Sequence, residues 1–478
     1  MKNNSHSVIK HIIDVTLSNV STIIAGIIVG FFLPKLLSVA DYGWYKTFTL
    51  YMTYVGFFSL GLIDGIVLKY GGYDYSELDR TLFRSLFKWY FLIHIIFACF
   101  VSIISIFIND LNYRIILLFL SVNMIAVNIT GYFQQISQIT QRFKEYSLRK
   151  IIQSILNIII VFIYFCIYRA FEINSYIYYL VLFVLANVGL TIWYTYTYRD
   201  IVFGKSASLL STKSDVLNLC KIGFPLLFAN LCSTLILTID RQFVSILFDT
   251  AIYAQYAFAY NMLALVTVAT SAMSTVLYPT LKRTTKKVIR NDYPFLVSMI
   301  LIIVFGALTV YFPLCLFVEW FLPKYEESLI IFRIVFPGLA LSSPITVIMH
   351  NVYKTEGNNF LFFKKSLVVL LLTIIANGVA YTAFQSTQAI SISSIIIMVF
   401  WYFFAESYFY KEYSYSGKKN SSYIIIMMVS FYLLSSISNY YVGFVIYFAF
   451  FLFITIVFFR TTSQKMKNLF NNSNYTHD

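Results

Sequence analysis

Asp240 and Arg241 stand side by side in the second half of an apolar stretch running from Ile222 to Phe248, and Lys46 and Asp64 lie in another, from Tyr42 to Lys69. On insertion scales an ionisable group at mid-membrane costs about 2.5 to 3.5 kcal/mol, so each of these four residues needs a partner or a wet cavity. The chemistry they offer is binding. A guanidinium is a planar fork that meets a phosphate or carboxylate through two parallel hydrogen bonds, which makes Arg241 the best candidate of the set for an anionic headgroup. Adjacent residues point about 100° apart around a helix, so Asp240 and Arg241 do not face each other. Either each pairs with a neighbouring helix and locks the bundle, or they line a pathway. Lys46, one turn into its helix, either snorkels to the outer interface or joins Arg241. Asp64 sits in Gly61-Leu62-Ile63-Asp64-Gly65, where glycines permit close helix approach or local irregularity. A carboxylate there, or at Asp240, could form a structural ion pair or couple a cycle to H+ or Na+.

Other polar residues in apolar stretches carry softer readings. Asp14 and Glu406 fall near helix ends and are read as solvated, and His94 as a satisfied packing residue. Asn19, Asn123, Asn128, Asn157, Asn187, Asn230, Asn261 and Asn377 need water or amide partners, which neighbouring helices or the hydroxyls of a bound sugar can supply. Pro225, Pro279, Pro337 and Pro344 are expected to kink their helices. Cys99, Cys166, Cys220, Cys232 and Cys315 are scattered singly, so neither a disulfide framework nor a metal site is indicated. No loop holds a catalytic triad or paired acid and base, and Gly204-Lys205-Ser206 lacks the glycine and the strand that a phosphate loop needs. The chain is therefore not read as an enzyme, and no cofactor is called for.

The elements that position these residues follow from composition. With 59% hydrophobic and only 12% charged residues among 478, this is an all-α polytopic membrane protein. About fourteen transmembrane helices are expected, from Ile12–Lys35 to Tyr441–Phe459, or twelve if the last pair is peripheral. Of the 35 Lys and Arg, 28 fall in alternate gaps, as cytoplasmic loops do, which puts both termini in the cytoplasm. The net charge of +14 then reads as orientation and contact with anionic membrane lipids, not nucleic acid binding. Outer loops such as Ser38–Asp41 and Asp249–Ala251 are too short for a separate domain, so the work is done between helices.

The longest soluble connection divides the chain. Residues 1–198 form an N-terminal six-helix bundle, 199–221 a cytoplasmic linker, 222–410 a second six-helix bundle, and 411–478 an additional helix pair and cytoplasmic tail. A weak repeat accompanies the division: Asp41-Tyr42-Gly43-Trp44-Tyr45 and Ile252-Tyr253-Ala254-Gln255-Tyr256 place paired tyrosines at equivalent points. Six helices per half make the bundles pseudo-symmetric about an axis along the membrane normal, an arrangement that commonly encloses a transport pathway.

The stretch Phe31 to Tyr45, with Pro34, Asp41-Tyr42-Gly43 and a following aromatic, resembles the amino-terminal pattern of the polysaccharide repeat-unit flippases, such as O-antigen and capsule flippases. These belong to the multidrug/oligosaccharidyl-lipid/polysaccharide exporter superfamily. Gly61-Leu62 resembles their helix-two segment. Gly223-Phe224-Pro225, Asp240-Arg241, Tyr253, Tyr256 and Pro279 resemble their second half in order. The resemblance covers roughly Val8 to Tyr410. It implies a multi-pass protein of the bacterial cytoplasmic membrane that turns an undecaprenyl-diphosphate-linked oligosaccharide to the outer leaflet, beside a polysaccharide polymerase and other assembly proteins. It also implies that Arg241 and Lys46 attract the diphosphate. A multidrug or cation antiporter of the same superfamily is the nearest alternative, ahead of a membrane glycosyltransferase or polymerase.

Overall fold

A computed structural model describes the backbone of residues 2–282 and 284–474. Side chains are described throughout except at 1–16, 268–269, 271–272, 275–276, 278–280, 283, 359, 461, 463 and 465–478. Asp14 and Pro279 thus lie outside the described side chains. Every regular element among the described residues is helical. By internal contacts the chain divides into two compact units, Met1–Ala254 and Gln255–Asp478.

The first unit contains α1 (Lys2–Leu36), α2 (Val39–Met52), α3 (Leu62–Tyr70), α4 (Arg80–Ile106), α5 (Leu111–Ile139) and α6 (Phe143–Phe171). It continues with α7 (Tyr176–Thr197), α8 (Arg199–Val202), α9 (Leu209–Ile236), α10 (Ile239–Leu247) and the start of α11 (Thr250–Lys282). The second unit holds the rest of α11 and α12 (Lys286–Ala307), α13 (Tyr311–Phe321), α14 (Ser328–Val335), α15 (Gly338–Ser343) and α16 (His350–Thr355). It ends with α17 (Asn359–Phe384), α18 (Thr387–Tyr413), α19 (Lys418–Leu434) and α20 (Tyr440–Asn474). Among the described residues 11 helical segments are long and apolar enough to cross a membrane, or 12 with one bent pair. Outside that set stand α11, whose side chains are only partly described, α19, at 17 residues, and the short α8 and α10.

Large apolar side chains such as Phe162, Leu185, Ile192 and Phe453 are exposed, as a lipid-facing surface requires, while polar groups turn inward. In the first unit a seam of hydrogen bonds joins α5 to α7: Asn187 to Asn123 at 2.9 Å, Thr130 with Thr191 at 3.0 Å and Ser137 with Tyr198 at 2.5 Å. Asn19 accepts from Lys150 at 2.7 Å and ties α1 to α6. Arg149, buried, lies between the rings of Trp193 and Tyr194, 4.4 Å from each centroid, and fastens α6 to α7. His94 is fully buried; its Nδ1 is bonded to the Tyr90 carbonyl at 2.7 Å, whereas its Nε2 has no hydrogen-bond partner among the described residues, so it is only half satisfied.

Two of the expected spans are interrupted. The stretch Tyr42–Lys69 is not one rod: α2 gives way to a 3₁₀ turn at Val55–Ser59, and α3 leaves at 61°. Leu60 and Gly61 both adopt left-handed backbone, with φ of 51° and 78°. Only glycine does so without cost, so Gly61 fixes where the break falls. In the second stretch, Leu237 and Thr238 separate α9 from α10. Pro225 lies within α9, whereas Pro344 opens a π-helical stretch to Met349 that continues into α16.

The segment after α7 is pinned to α4. Arg84 donates from Nε to the Asp200 carbonyl at 2.8 Å and from Nη1 to the Lys205 carbonyl at 2.9 Å. Lys88 reaches Ser206 at 2.6 Å, and Trp89 donates to the Leu209 carbonyl at 3.2 Å. Tyr75 donates to the Asp200 carboxylate at 2.8 Å. Burial and then this carboxylate push the Tyr75 hydroxyl above the ordinary tyrosine range.

Candidate functional site

The site lies where the two interrupted helices of the first unit meet. Glycines bring them together. A Cβ on Gly65 would fall 2.0 Å from the Leu219 carbonyl oxygen, and one on Gly223 would fall 2.1 Å from the Gly61 carbonyl oxygen. Backbone therefore packs on backbone between α3 and α9, a contact open only to residues without a side chain. At the other end of α2, a Cβ on Gly43 would lie 2.4 Å from the Thr250 carbonyl oxygen, so α2 presses equally close to the start of α11.

Between these contacts the breaks face each other. Asn128 satisfies the Val55 carbonyl in the first break through a 3.1 Å hydrogen bond. Tyr54, just ahead of it, donates to the Thr238 hydroxyl in the second at 3.0 Å. Such partners make non-helical backbone tolerable at membrane depth.

Arg241 lies in the first turn of α10. Its Nη2 donates to the Leu237 carbonyl at 2.7 Å, one of the groups the interruption leaves without a helical partner. Asp240 is buried, 2% exposed, and its carboxylate accepts from the Arg241 backbone N–H at 2.7 Å. An anion is favoured there by the positive N-terminal end of α10. Lys46, half-buried, holds its ammonium over the rings of Tyr42 and Tyr45 at 5.2 and 5.7 Å and lies in the electrostatic field of Arg241. Tyr253 reaches back to the Lys46 carbonyl at 3.3 Å and feels both Arg241 and Asp240.

The structure thus brings Lys46, Asp240 and Arg241 together. Asp64 stands apart, beyond the bend in the first turn of α3, beside Gly223 and in the field of Tyr90. Sequence reasoning singled out neither Tyr54, Tyr51, Thr238 nor Gln242 for this site. The Tyr51 hydroxyl is directed at Gln242, whose buried side-chain oxygen has no hydrogen-bond partner. The signal available for them was the polar run Thr238-Ile239-Asp240-Arg241-Gln242, uncommon within an apolar stretch. Among the described residues no group of three or more His, Cys, Asp or Glu side chains could hold a metal ion.

The arrangement is two cations and one buried carboxylate, Asp240, on facing, interrupted helices, surrounded by phenols, a hydroxyl and an amide. Its chemistry is recognition of an anion that also bears hydroxyl groups.

The fold is like that of several solved membrane proteins. It is similar to the lipid II flippase MurJ in an inward closed conformation, with a TM-score of 0.71 and 15% identity over 95% of this chain and 99% of that one. It is similar also to an inward-facing multidrug resistance MATE family transporter, with a TM-score of 0.62 and 12% identity over 84% and 94% of the two chains. The Vibrio cholerae MATE transporter VcmN gives a TM-score of 0.58 and 14% identity over 86% and 98%. No curated protein sequence matches the chain. The family model described as "Polysaccharide biosynthesis protein" matches residues 8–285, and the chain belongs to that family.

Proposed function

We propose that this protein is a flippase that moves undecaprenyl-diphosphate-linked oligosaccharide repeat units from the inner to the outer leaflet of the bacterial cytoplasmic membrane. It works by alternating access and supplies O-antigen, capsule or other surface polysaccharide synthesis, where a polymerase and other assembly proteins use the product. The observation that carries this reading is the approach of Lys46 and Arg241 across two interrupted helices. With the Asp240 carboxylate beside them the two cations leave the cluster a net positive charge, which a diphosphate bound there would neutralise. Arg241 exchanges its bond to the Leu237 carbonyl for the phosphate oxygens, while Lys46 contributes a point charge. Tyr51, Tyr54, Thr238 and Gln242 offer hydrogen bonds to sugar hydroxyls, and the prenyl chain stays in lipid. Membership in a polysaccharide biosynthesis family supports the same substrate class.

The test is a deletion strain in which the leaflet of the lipid-linked oligosaccharide is read with a membrane-impermeant glycan probe. Accumulation in the inner leaflet, reversed by the wild-type gene, is the expected result. Normal outer exposure without the protein, in a strain lacking redundant transporters, overturns the reading. The likeness to multidrug transporters favours a second reading, an antiporter of organic cations. The excess of cations over the single Asp240 carboxylate at the site opposes it electrostatically, and drug susceptibility of the same deletion strain separates the two.

A further inference from the structure

The last turns of α18 bury a carboxyl group that the substrate site does not use. Glu406 is fully buried. One of its oxygens accepts from the Tyr410 hydroxyl at 2.6 Å and the other accepts from the Tyr415 hydroxyl. Two more phenols are turned toward the same carboxylate: Tyr402, one turn earlier, and Tyr293 on α12. Both are buried; Tyr402 approaches the carboxylate as a further hydrogen-bond donor, and the Tyr293 hydroxyl has no hydrogen-bond partner among the described residues. The Tyr293 ring is held in place by stacking on Phe409, centroids 4.4 Å apart, and by the edges of Tyr413 and Tyr415.

Among the described residues no cation forms a salt bridge with Glu406. Arg80 pairs with Asp200 and Arg149 with Glu145, both in the first unit and away from Glu406. The basic groups on neighbouring elements are turned to other partners or to the surface. Arg290 of α12 donates to the Tyr413 carbonyl at 3.0 Å, and Lys365 of α17 donates to the Phe404 carbonyl at 2.7 Å and to Ser407 at 3.0 Å. Lys411 and Glu412 are exposed on the far side of α18. His350 and Lys354 belong to α16, where the His350 ring stacks on Phe362. Glu356 is held separately by Tyr413 at 2.8 Å, Tyr408 at 3.1 Å and Asn358 at 3.4 Å. The side of α19 near Tyr415 and Tyr410 presents neutral Asn420 and Ser421.

A buried carboxylate met only by neutral hydroxyls carries an uncompensated charge, which is expensive inside a membrane protein. A proton removes that charge. It also supplies an O–H that the idle phenol oxygen of Tyr293 can accept, so the orphaned hydroxyl and the missing cation have one common remedy. A route to water exists as well. Tyr410 and Tyr415 are half-buried and stand beside the exposed loop after α18, where Ser414 and Ser416 are open to solvent. That loop is pressed onto the phenol, because a Cβ on Gly417 would come within 2.2 Å of the Tyr410 ring.

We infer that Glu406 is a proton-exchange site: its carboxylate takes up one proton through Tyr410 and Tyr415 and releases it again as the transport cycle proceeds. The proton forms an O–H bond to a carboxylate oxygen and leaves as solvated H+, with no other reactant. This rests on the transport reading for its role in the cycle, though not for its chemistry, and it moves ion coupling away from Asp64 and Asp240.

The test uses the full-length protein in proteoliposomes. Infrared difference spectra across a pH step are expected to show the stretch of a protonated carboxyl in the wild type and its loss in Glu406→Gln. Glu356→Gln is expected to keep it. Tyr415→Phe, which keeps the carboxyl and removes one donor, is expected to shift the pH midpoint of the band. In parallel, movement of a fluorescent polyprenyl-diphosphate disaccharide is followed under an imposed pH gradient, and its response to the gradient is expected to vanish in Glu406→Gln. An unchanged band in Glu406→Gln, or no titrating band in the wild type, overturns the site. Movement that follows a sodium gradient and ignores pH overturns the coupling role. A specific titrating band in a protein that moves no lipid leaves the proton site standing and sinks the flippase reading instead.

Discussion

The Tyr54 hydroxyl donates to the Thr238 hydroxyl at 3.0 Å and so links the break between α2 and α3 to the break between α9 and α10. Thr238 in turn donates to the Thr234 carbonyl at 2.8 Å, so the phenol is held by a group already oriented by its own helix. Measured interhelical side-chain hydrogen bonds in membranes average about 0.6 kcal/mol and reach about 1.7. A double-mutant cycle of Tyr54→Phe and Thr238→Val in mild detergent is expected to give a coupling energy in that range. Additive effects of the two changes would mean that the breaks are positioned without this bond.

The glycine contacts between α3 and α9 predict a sharper effect. A methyl on Gly65 or Gly223 meets backbone atoms at 2.0 and 2.1 Å, and backbone cannot rotate away as a side chain can. Gly65→Ala and Gly223→Ala are each expected to lower stability by about 1 to 3 kcal/mol, the usual cost of overpacking. Gly189→Ala is the control, since nothing lies within 4 Å of the added carbon. Thermal unfolding should leave Gly189→Ala near the wild type and move the other two clearly down. Equal midpoints for all three would contradict the backbone contact.

Tyr75 and Asp200 give a pH-dependent test. Because the folded Tyr75 hydroxyl titrates above the ordinary tyrosine range, the proton it keeps contributes stability that is fully present below an unfolded value of about 10. That contribution is lost as pH rises through the folded value. Tyr75→Phe is therefore expected to cost about 1.5 to 3 kcal/mol at neutral pH, the usual range for a hydrogen bond to a charged group. The gap between variant and wild type should narrow only in strongly alkaline solution. Chemical denaturation at neutral and alkaline pH measures it, and a gap that closes below neutrality would refute the assignment.

What the sequence disclosed and what it concealed have a common physical cause. Hydropathy over about 20 residues reports burial in lipid, so the helical membrane character was legible. So was the family, through short motifs such as Gly223-Phe224-Pro225 and Asp240-Arg241. A break inside an apolar stretch does not change hydropathy, and only the glycines around Asp64 hinted at the bend after Ser59. The interruption at Leu237 and Thr238 left no such trace. Lys46 read as a residue snorkelling to the interface, yet it lies over Tyr42 and Tyr45 within reach of Arg241. Glu406 read as solvated because it falls near a helix end. In fact α18 runs on to Tyr413, and the chain then turns back so that Tyr415 covers the carboxyl. Contacts made by a returning loop leave no periodic signature in the sequence.

The roles assigned to Arg241 and Lys46 differ enough to be separated. Arg241 is a fork already bonded to a helix-break carbonyl, whereas Lys46 is a point charge supported by two aromatic faces. Losing a hydrogen bond to a charged group costs about 1.5 to 3 kcal/mol, which is roughly 10- to 100-fold in an equilibrium constant. Arg241→Ala is expected to reduce flipping of a polyprenyl-diphosphate oligosaccharide by that factor. Arg241→Lys should recover only part of it, because an ammonium cannot reproduce the bidentate geometry. Lys46→Arg should be tolerated better than Lys46→Ala, since either cation can supply charge above Tyr42 and Tyr45. Raising ionic strength should not rescue the alanine variants, because screening acts weakly on half-buried groups. Initial rates in proteoliposomes with matched protein incorporation provide the measurement. An Arg241→Ala protein that flips at the wild-type rate would remove Arg241 from the diphosphate site and leave it the structural task of closing the break at Leu237.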